Sequence, residues 1–294
     1  MTMRAMYFFL SCLCCLSFLP LVAAEPTHIL IVVGPSNHPP GTHEVMASAR
    51  LLQHCLEHLD NVTNIEATVV DSWPTAEEQQ KAATVVFLGD TFPPHRLPNS
   101  DSNMTDLSIM MDRGCGIVCL HFATGLLGQD VEPNGDHPLL KWMGGYYANR
   151  SCAHHQSIAR IFKAAEIKPA GSHPILNGWQ EFTLHDEPYI NNYFGPKGNE
   201  AANNVTILAT SMLPPENPKP ERIAWCVQRA DSGRGFGIVM PHFYRNWSND
   251  NLRTFILNGI VWSAKRDVPN EGVASSIADL KKFLPQSVEP LPAK

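Results

Sequence analysis

The sequence lacks several features that would assign it to a common class of protein. After residue 24 no apolar run is long enough to cross a bilayer, and no internal repeat is present. After residue 24 there is also no C-x-x-C pair, so neither a zinc ribbon nor a dithiol redox site is expected. Basic residues are not in excess either, since 22 Lys and Arg stand against 28 Asp and Glu. The resulting net charge of −6 argues against nucleic acids and anionic membranes as partners.

The one long apolar run lies at the N-terminus. Residues 1–24 begin with a basic n-region at Arg4, continue with an apolar stretch and end in small residues, the order found in secretory signal peptides. The sequence therefore predicts cleavage after Ala24 and a secreted or periplasmic protein. A membrane anchor is the alternative, but Pro20 interrupts the run, which is also short for a bilayer span.

Residues 25–275 are predicted to form one α/β domain, followed by a C-terminal helix and tail at residues 276–294. Apolar, β-branched runs predict strands at Ile29–Val33, Ala67–Asp71, Thr84–Leu88 and Gly116–Leu120. Helical spacing of apolar residues predicts helices at His43–Leu59, Thr75–Lys81, Met104–Asp112 and Asn251–Ala264. Continuous apolar strands separated by helices are typical of a doubly wound, mostly parallel sheet of the flavodoxin-like kind.

The second half of the domain predicts antiparallel additions to this sheet. Further strands are expected at Ile158–Phe162, Glu181–Leu184 and Asn204–Ser211. The segment DSGRG predicts a hairpin turn between strands at Ile223–Arg229 and Phe236–Met240. A short helix is expected near Val273–Phe283.

Polar side chains follow several of the predicted strands. They are His38 and His43 after the first strand, Asp90 after the third, His121 after the fourth, and His242 after Phe236–Met240. A single histidine in a loop is more often a solvated surface residue. In an open parallel sheet, however, the carboxyl ends of the strands form the ligand-binding crevice. If Phe236–Met240 runs parallel to the others, His43, His121 and His242 converge there as ligands of a divalent metal ion or as acid/base groups.

The segment HDEPY, residues 185–189, is the densest polar cluster. It is either a solvated strand end or a part of the cleft. In the cleft, Glu187 would be a metal ligand or a general base, beside Asp186, and Tyr189 would be a proton donor. His173, in SHPILNG, is expected to cap a turn near the site.

The position of Cys119 argues against a cysteine hydrolase. Class I glutamine amidotransferases, which are also doubly wound, carry a nucleophilic cysteine on a sharp turn after a strand. Here His121 occupies the turn and Cys119 lies two residues earlier, inside the strand. A shared fold without the nucleophile is therefore predicted. The pairing of Cys55, Cys115, Cys119, Cys152 and Cys226 is left open.

Seven short stretches of the sequence, taken in order, resemble those of the ThuA-like, or trehalose-utilisation, family. They are PGTHE, IVCLH, HPI, DEPY, GRGFGIVMPH, NGIVWSA and VPNEGV, spread over residues 29–273. The resemblance implies a class I glutamine amidotransferase-like fold without its catalytic cysteine. It also implies a role in sugar catabolism, including trehalose and 3-keto-glycosides. The matching polar residues are His43, His121, His173, Glu187 and His242.

The leading hypothesis is a secreted enzyme of carbohydrate catabolism that uses metal-assisted acid/base chemistry on a (3-keto-)glycoside. His43, His121 and His242 would bind a divalent ion, with zinc as the candidate, and Glu187, Tyr189 and Asp186 would be catalytic. The predicted substrate-binding residues are His38, Asp90, His173, Tyr244 and Trp247. The expected partner is a small carbohydrate, and the oligomeric state is left open. The alternatives are a non-catalytic carbohydrate-binding protein that uses the same pocket and, ranked last, a cysteine hydrolase.

Overall fold

The computed structural model describes residues 25–277 and 279–284 of the 294-residue chain. The predicted signal peptide, residues 1–24, and most of the predicted tail lie outside the described residues. Within the described part of the chain, none of the helices has the length and apolar character needed to span a bilayer.

A nine-stranded mixed sheet forms the centre of the fold. In chain order its strands are β1 (Thr27–Val33), β2 (Ile65–Val70), β3 (Ala82–Leu88), β4 (Gly116–Leu120), β7 (Phe162–Pro169), β8 (Phe182–Asp186), β9 (Val205–Leu213), β10 (Lys219–Gln228) and β11 (Arg234–Ile238). Their order across the sheet is β2-β1-β3-β4-β11-β10-β9-β7-β8. Two short strands, β5 (Gly125–Leu126) and β6 (Tyr147–Ala148), pair separately.

Five α-helices of the described chain pack against this sheet. They are α1 (Val45–Glu57), α2 (Ala76–Lys81), α3 (Ser100–Asp112), α4 (Pro138–Met143) and α5 (Asp250–Ser263). A capping box at Thr75 and Glu78 starts α2, and the Asn249 side chain caps α5 by accepting a hydrogen bond from the Leu252 N–H. These caps explain why both helices begin within a residue of their predicted starts.

The two faces of β11 show that the sheet is covered on both sides. A Cβ at Gly235 would clash with the Trp142 carbonyl of α4, and a Cβ at Gly259 of α5 would clash with the Phe236 ring. Gly235 and Phe236 are consecutive strand residues, so they face opposite sides of the sheet. Helices α4 and α5 therefore cover opposite faces, as the predicted doubly wound fold requires.

The direction of β11 decides where the histidines lie. β11 pairs in parallel with β4 and antiparallel with β10. The predicted convergence of His242 with the other histidines required this parallel pairing with β4. The predicted α/β fold, with parallel strands and antiparallel additions, is confirmed, although β10, β9, β7 and β8 make the antiparallel part as long as the parallel one.

Two predicted elements were wrong. Ile158 forms only an isolated bridge with Ile190, and the strand begins at Phe162, because the side chain of Ile158 is half exposed and does not face the core. The predicted helix near Val273–Phe283 is only a 3-10 turn at Leu280–Phe283 within the described residues. Within the predicted range Ser275 forms an isolated bridge with Leu59, so the backbone is extended there and not helical.

Candidate functional site

Three histidines from remote parts of the chain meet at the carboxyl ends of β1, β4 and β11. The Nε2 atoms of His43 and His121 lie 2.9 Å apart. His242 Nδ1 lies 3.0 Å from the first of these atoms and 3.2 Å from the second. The three side chains are almost completely buried. We call these residues the histidine triad.

Backbone strain marks the turns that deliver these residues. His121 has a φ of +48°, and Thr91, which follows Asp90, has a φ of +66°. Left-handed backbone is unfavourable for a residue with a Cβ, and more so for a β-branched one. His121 thus occupies the sharp turn after β4, as predicted, where the class I glutamine amidotransferases carry their nucleophilic cysteine. Such strain persists only where surrounding contacts hold it, as the bond from Thr124 Oγ1 to the His121 carbonyl does at 2.6 Å.

Hydrogen bonds fix the tautomers of two of the rings. His121 Nδ1 lies 3.0 Å from the Val239 carbonyl, which can only accept, so Nδ1 carries the proton. His43 Nδ1 lies 2.6 Å from a carboxylate oxygen of Asp90 and carries its proton for the same reason. In the neutral rings both Nε2 atoms therefore present lone pairs to each other across 2.9 Å. A cation placed between them would remove this repulsion.

A proton is poorly suited to be that cation. Burial lowers the pKa of His121 well below its ordinary value, and the neighbouring His43 and His242 rings lower it further. Burial also lowers the pKa of His43, although the bond to Asp90 partly offsets this effect. The rings are therefore held neutral, which is the state in which imidazole binds a metal ion.

Glu187 and Tyr189 reach the triad from the segment after β8. Glu187 Oε2 lies 3.2 Å from His242 Nδ1 and 3.9 Å from His121 Nε2. Together with the triad it forms a group of three nitrogens and one oxygen that could hold a metal ion. The Tyr189 hydroxyl lies 3.0 Å from His121 Nε2, and burial raises its pKa well above the ordinary value. Tyr189 therefore stays protonated and can act as a hydrogen-bond donor.

Asp90 supports the triad rather than facing a ligand. Its carboxylate accepts from His43 Nδ1 at 2.6 Å, from His38 Nδ1 at 2.8 Å and from the Asn37 N–H at 2.8 Å. Burial would raise its pKa, but the hydrogen bonds from the two rings outweigh this and lower it. The His38 and His43 rings stack at 3.6 Å. A carboxylate behind a ligating histidine orients the ring and raises its basicity. Asp90 was predicted to bind substrate, but its oxygens are already occupied.

Asp186 was predicted to be catalytic, yet it lies behind the site. The side chain is fully buried. Its Oδ1 accepts hydrogen bonds from the backbone N–H groups of Glu187 and His242, each at 2.8 Å. Burial raises its pKa. Asp186 therefore contacts the backbone of two site residues and not the centre of the cluster.

His173 caps a turn as predicted, but not near the site. Its Nδ1 accepts from the Ile175 N–H at 3.2 Å, and its Nε2 lies 3.7 Å from the sulfur of Cys226. The His173 ring also lies 4.9 Å from that of Trp262, whose carbonyl accepts from Arg234, the first residue of β11 and so at the other end of that strand from His242. The expectation that His173 lies near the site was wrong, because the turn it caps packs at the amino end of β11.

Tyr244 and Trp247 are not available for stacking on a sugar. Both are buried. The Tyr244 hydroxyl donates to the Leu280 carbonyl at 2.9 Å, and Trp247 Nε1 donates to Ser48 Oγ at 2.9 Å. Trp247 lines a cavity of about 30 Å³ next to the triad, which has room for about one water molecule and not for a pyranose ring. Their prediction as substrate-binding residues disagrees with this packing.

Sequence reasoning missed two aromatic residues at the open side of the cluster. Phe122 is partly exposed, and its ring centroid lies 5.8 Å from those of His38, His43 and Tyr147. The Tyr147 ring lies 4.2 Å from that of Tyr189, and burial raises its pKa to about 12. Phe122 could have been found from its position next to His121. Nothing in the sequence pointed to Tyr147, because it reaches the cluster through the pairing of β6 with β5, in which it lies opposite Gly125.

The cysteines do not contribute to the site. All five in the described chain are free and buried. Cys119 is completely buried, and burial raises its pKa well above the ordinary value of a thiol. The thiolate that a cysteine hydrolase needs is therefore disfavoured at this position.

Comparison with known proteins identifies the family. The family model described as ThuA, trehalose utilisation, matches residues 29–263. The chain belongs to the ThuA family. The match runs from β1 to the end of α5 and includes the histidine triad and Glu187. The resemblance inferred from the ordered motifs is confirmed, and the family description indicates a carbohydrate-related role.

Solved structures of ThuA-like proteins share the fold at low sequence identity. A protein described as ThuA-like from Bacteroides uniformis is 15% identical with a TM-score of 0.57, over 85% of this chain and 96% of that one. Another, from Parabacteroides merdae, is 16% identical with a TM-score of 0.57, over 86% and 98%. A glutamine amidotransferase from Methylobacillus flagellatus is 14% identical with a TM-score of 0.37, over 76% and 74%. Among curated proteins the sequence has no significant match.

Proposed function

We propose that this ThuA-family protein is an exported, metal-dependent enzyme that performs acid/base chemistry on a glycoside carrying a ketone. The observation that carries the proposal is the pair of lone pairs that His43 and His121 direct at each other across 2.9 Å, with the Glu187 carboxylate beside them. Three nitrogen donors and one oxygen donor are a set that zinc accepts, and Asp90 orients one of them, His43, from behind. A divalent ion held there would act as a Lewis acid on a sugar oxygen.

The residues around the cluster divide into a proton acceptor and a proton donor. Glu187 Oε2 faces the triad, and its side chain is 16% exposed, so its second carboxylate oxygen can accept a proton from carbon 2 of a 3-keto-glycoside. Tyr189, which burial keeps protonated, can give its proton to the departing oxygen at carbon 1. The C–H and C–O bonds break as the C1=C2 double bond forms. Proton return from Glu187 to Tyr189 restores the site.

The sugar would approach from the side of His38 and Phe122. These two side chains are partly exposed, and Phe122 also lines the cavity of about 30 Å³ next to the triad, whose inner wall includes Trp247. An aromatic ring at the mouth of a polar site offers an apolar face to a pyranose. Phe122 therefore takes the place in the proposal that Tyr244 and Trp247 held in the sequence-based hypothesis.

The experiment is an exchange assay on a defined substrate. Purified protein loaded with Zn²⁺ or Mn²⁺ is mixed with 3-keto-trehalose in D₂O and followed by NMR. The proposal predicts loss of the proton at carbon 2 or release of glucose, and it predicts that Glu187→Gln stops both. Binding of the sugar without exchange under either metal would contradict the enzyme and favour a carbohydrate-binding protein. Equal activity of wild type and Glu187→Gln would remove Glu187 from its role.

A further inference from the structure

Asp186 joins two parts of the sheet that are far apart in strand order. It is the last residue of β8, which is separated from β11 by β7, β9 and β10. Its Oδ1 nevertheless accepts a hydrogen bond from the N–H of His242, which follows β11, and a second from the N–H of Glu187. Both distances are 2.8 Å. One oxygen atom therefore ties the position of Glu187 to that of His242.

The sheet holds this end of β8 through one strand. Within the described residues β8 pairs only with β7, where Asp186 lies opposite Phe162 and the register shifts before Ala165, and β7 pairs with β9 through Lys168 and Pro169, at its far end. Besides Asp186, two side chains bond across this junction: Asn246 donates to the His185 carbonyl at 2.9 Å, and Arg245 donates to His185 Nδ1 at 3.1 Å. The placement of Glu187 next to the triad therefore depends on these side-chain bonds as well as on the pairing of Asp186 with Phe162.

Retaining a carboxyl group here has a cost in stability. The side chain is fully buried, and its Oδ2 has no hydrogen-bond partner in the described structure. A buried polar atom without a partner is unfavourable, but an apolar side chain in its place would leave the N–H groups of Glu187 and His242 without the acceptor that Oδ1 provides. Here the group bonds to the backbone of two residues of the proposed donor set.

We propose that Asp186 is a positioning residue that sets the distance between the Glu187 carboxylate and the histidine triad, and so fixes the oxygen donor of the site. This inference rests on the proposed metal site. His43 and His121 are held separately, by Asp90 and by the Val239 carbonyl. Loss of the Asp186 acceptor therefore acts on the oxygen donor and, through the His242 backbone, on one nitrogen donor, while the other two nitrogen donors keep their bonds. Because carboxylate ligands suit Mn²⁺ and imidazole ligands suit Zn²⁺, the loss weakens Mn²⁺ more than Zn²⁺.

The test measures Mn²⁺ and Zn²⁺ affinities by competition with a chromophoric chelator. Asp186→Leu is expected to lower the Mn²⁺ affinity about 10- to 100-fold, and the Zn²⁺ affinity clearly less. Asp186→Asn, which keeps an acceptor oxygen, is expected to restore most of the loss. The double variant Asp186→Leu with Glu187→Gln is expected to be no weaker for Mn²⁺ than Glu187→Gln alone, because both changes remove the same donor.

The matched control is Asp231→Leu. Asp231 Oδ1 also accepts a backbone N–H, that of Gly233 at 2.7 Å, but it lies in the turn before β11, away from His242. This variant is expected to keep both affinities.

Three results would overturn the inference: an equal loss of Mn²⁺ and Zn²⁺ affinity in Asp186→Leu, additive losses in the double variant, or no recovery of affinity in Asp186→Asn. Should Asp186→Leu fail to fold, the Mn²⁺ affinities of Asp186→Asn and Asp186→Ala are compared instead. The inference predicts that Asp186→Ala loses affinity and Asp186→Asn keeps most of it, and it is overturned if the two variants bind Mn²⁺ alike. A wild type that binds neither metal overturns the proposed function itself.

Discussion

His43 and His121 are 78 positions apart in the sequence, yet their Nε2 atoms lie 2.9 Å from each other with no proton fixed between them. The Nδ1 atoms of both rings are committed to acceptors, the Asp90 carboxylate and the Val239 carbonyl. Two lone pairs directed at each other across this distance repel, and a cation bound between the rings would stabilise the arrangement.

Removal of any member of the triad is expected to abolish tight metal binding. His43→Ala, His121→Ala and His242→Ala each delete one of three nitrogen donors, so each is expected to lower the Zn²⁺ affinity by more than about 100-fold, beyond what loss of a supporting residue costs. Isothermal titration calorimetry measures the change. His58→Ala, at an exposed position after α1, is the control and is expected to bind like wild type. Unchanged affinity in any triad variant would exclude that residue as a ligand.

Asp90→Asn is expected to weaken metal binding without removing a ligand. An amide can donate to His43 Nδ1, which allows the ring to move its proton to Nε2 and lose the lone pair directed at the triad. We expect a Zn²⁺ affinity about 10- to 100-fold lower. Asp71→Asn, at an exposed residue after β2, is the matched control. If Asp90→Asn and Asp71→Asn bind alike, the carboxylate has no supporting role.

The stability of the metal-free protein is expected to fall between pH 7.5 and pH 5. Burial lowers the pKa of His43, His121 and His137, the last to about 3. Below pH 6.5 the unfolded chain takes up protons on these rings and the folded chain does not, so their contribution is present above that pH and is lost as the pH falls. Asp90, whose pKa is also lowered, adds a loss only below about pH 4.

Urea unfolding in EDTA measures this dependence. His137 alone accounts for up to about 2 kcal/mol of lost stability at pH 5. His137→Asn is expected to flatten the profile by that part and leave the rest. A free energy of unfolding that is constant or rises toward pH 5 would contradict the neutral, buried state of these rings.

Thiol reagents are expected to leave the folded protein unmodified. The five cysteines of the described chain are buried, and burial raises the pKa of Cys119. A chain that begins at Glu25 should therefore react with a thiol-specific dye only after unfolding, when all five groups become accessible. Cys119→Ala should retain metal binding. Fast labelling of Cys119 in the native protein, with loss of metal binding or turnover, would support the hypothesis of a cysteine hydrolase instead.

The sequence predicted the parallel part of the fold well, because buried parallel strands are continuous apolar runs whose ends are easily located. His43, His121 and His242 could be assigned to one crevice for the same reason, since each follows such a strand. The roles of Asp90 and Asp186 could not be predicted, because a carboxylate that faces a ligand and one that faces a histidine or a backbone amide look alike in sequence. Tyr244 and Trp247 were misjudged because aromatic residues near a site more often fill the core beneath it.

X-ray absorption at the zinc edge tests the central claim most directly. The protein, loaded with one equivalent of Zn²⁺ and dialysed, is expected to retain the metal and to show three imidazole nitrogens and one or more oxygens at about 2.0–2.2 Å. The His121→Ala variant is expected to lose the metal or one imidazole shell. A wild-type protein that retains no zinc, or whose zinc has no imidazole neighbours, would contradict a metal site built by His43, His121 and His242.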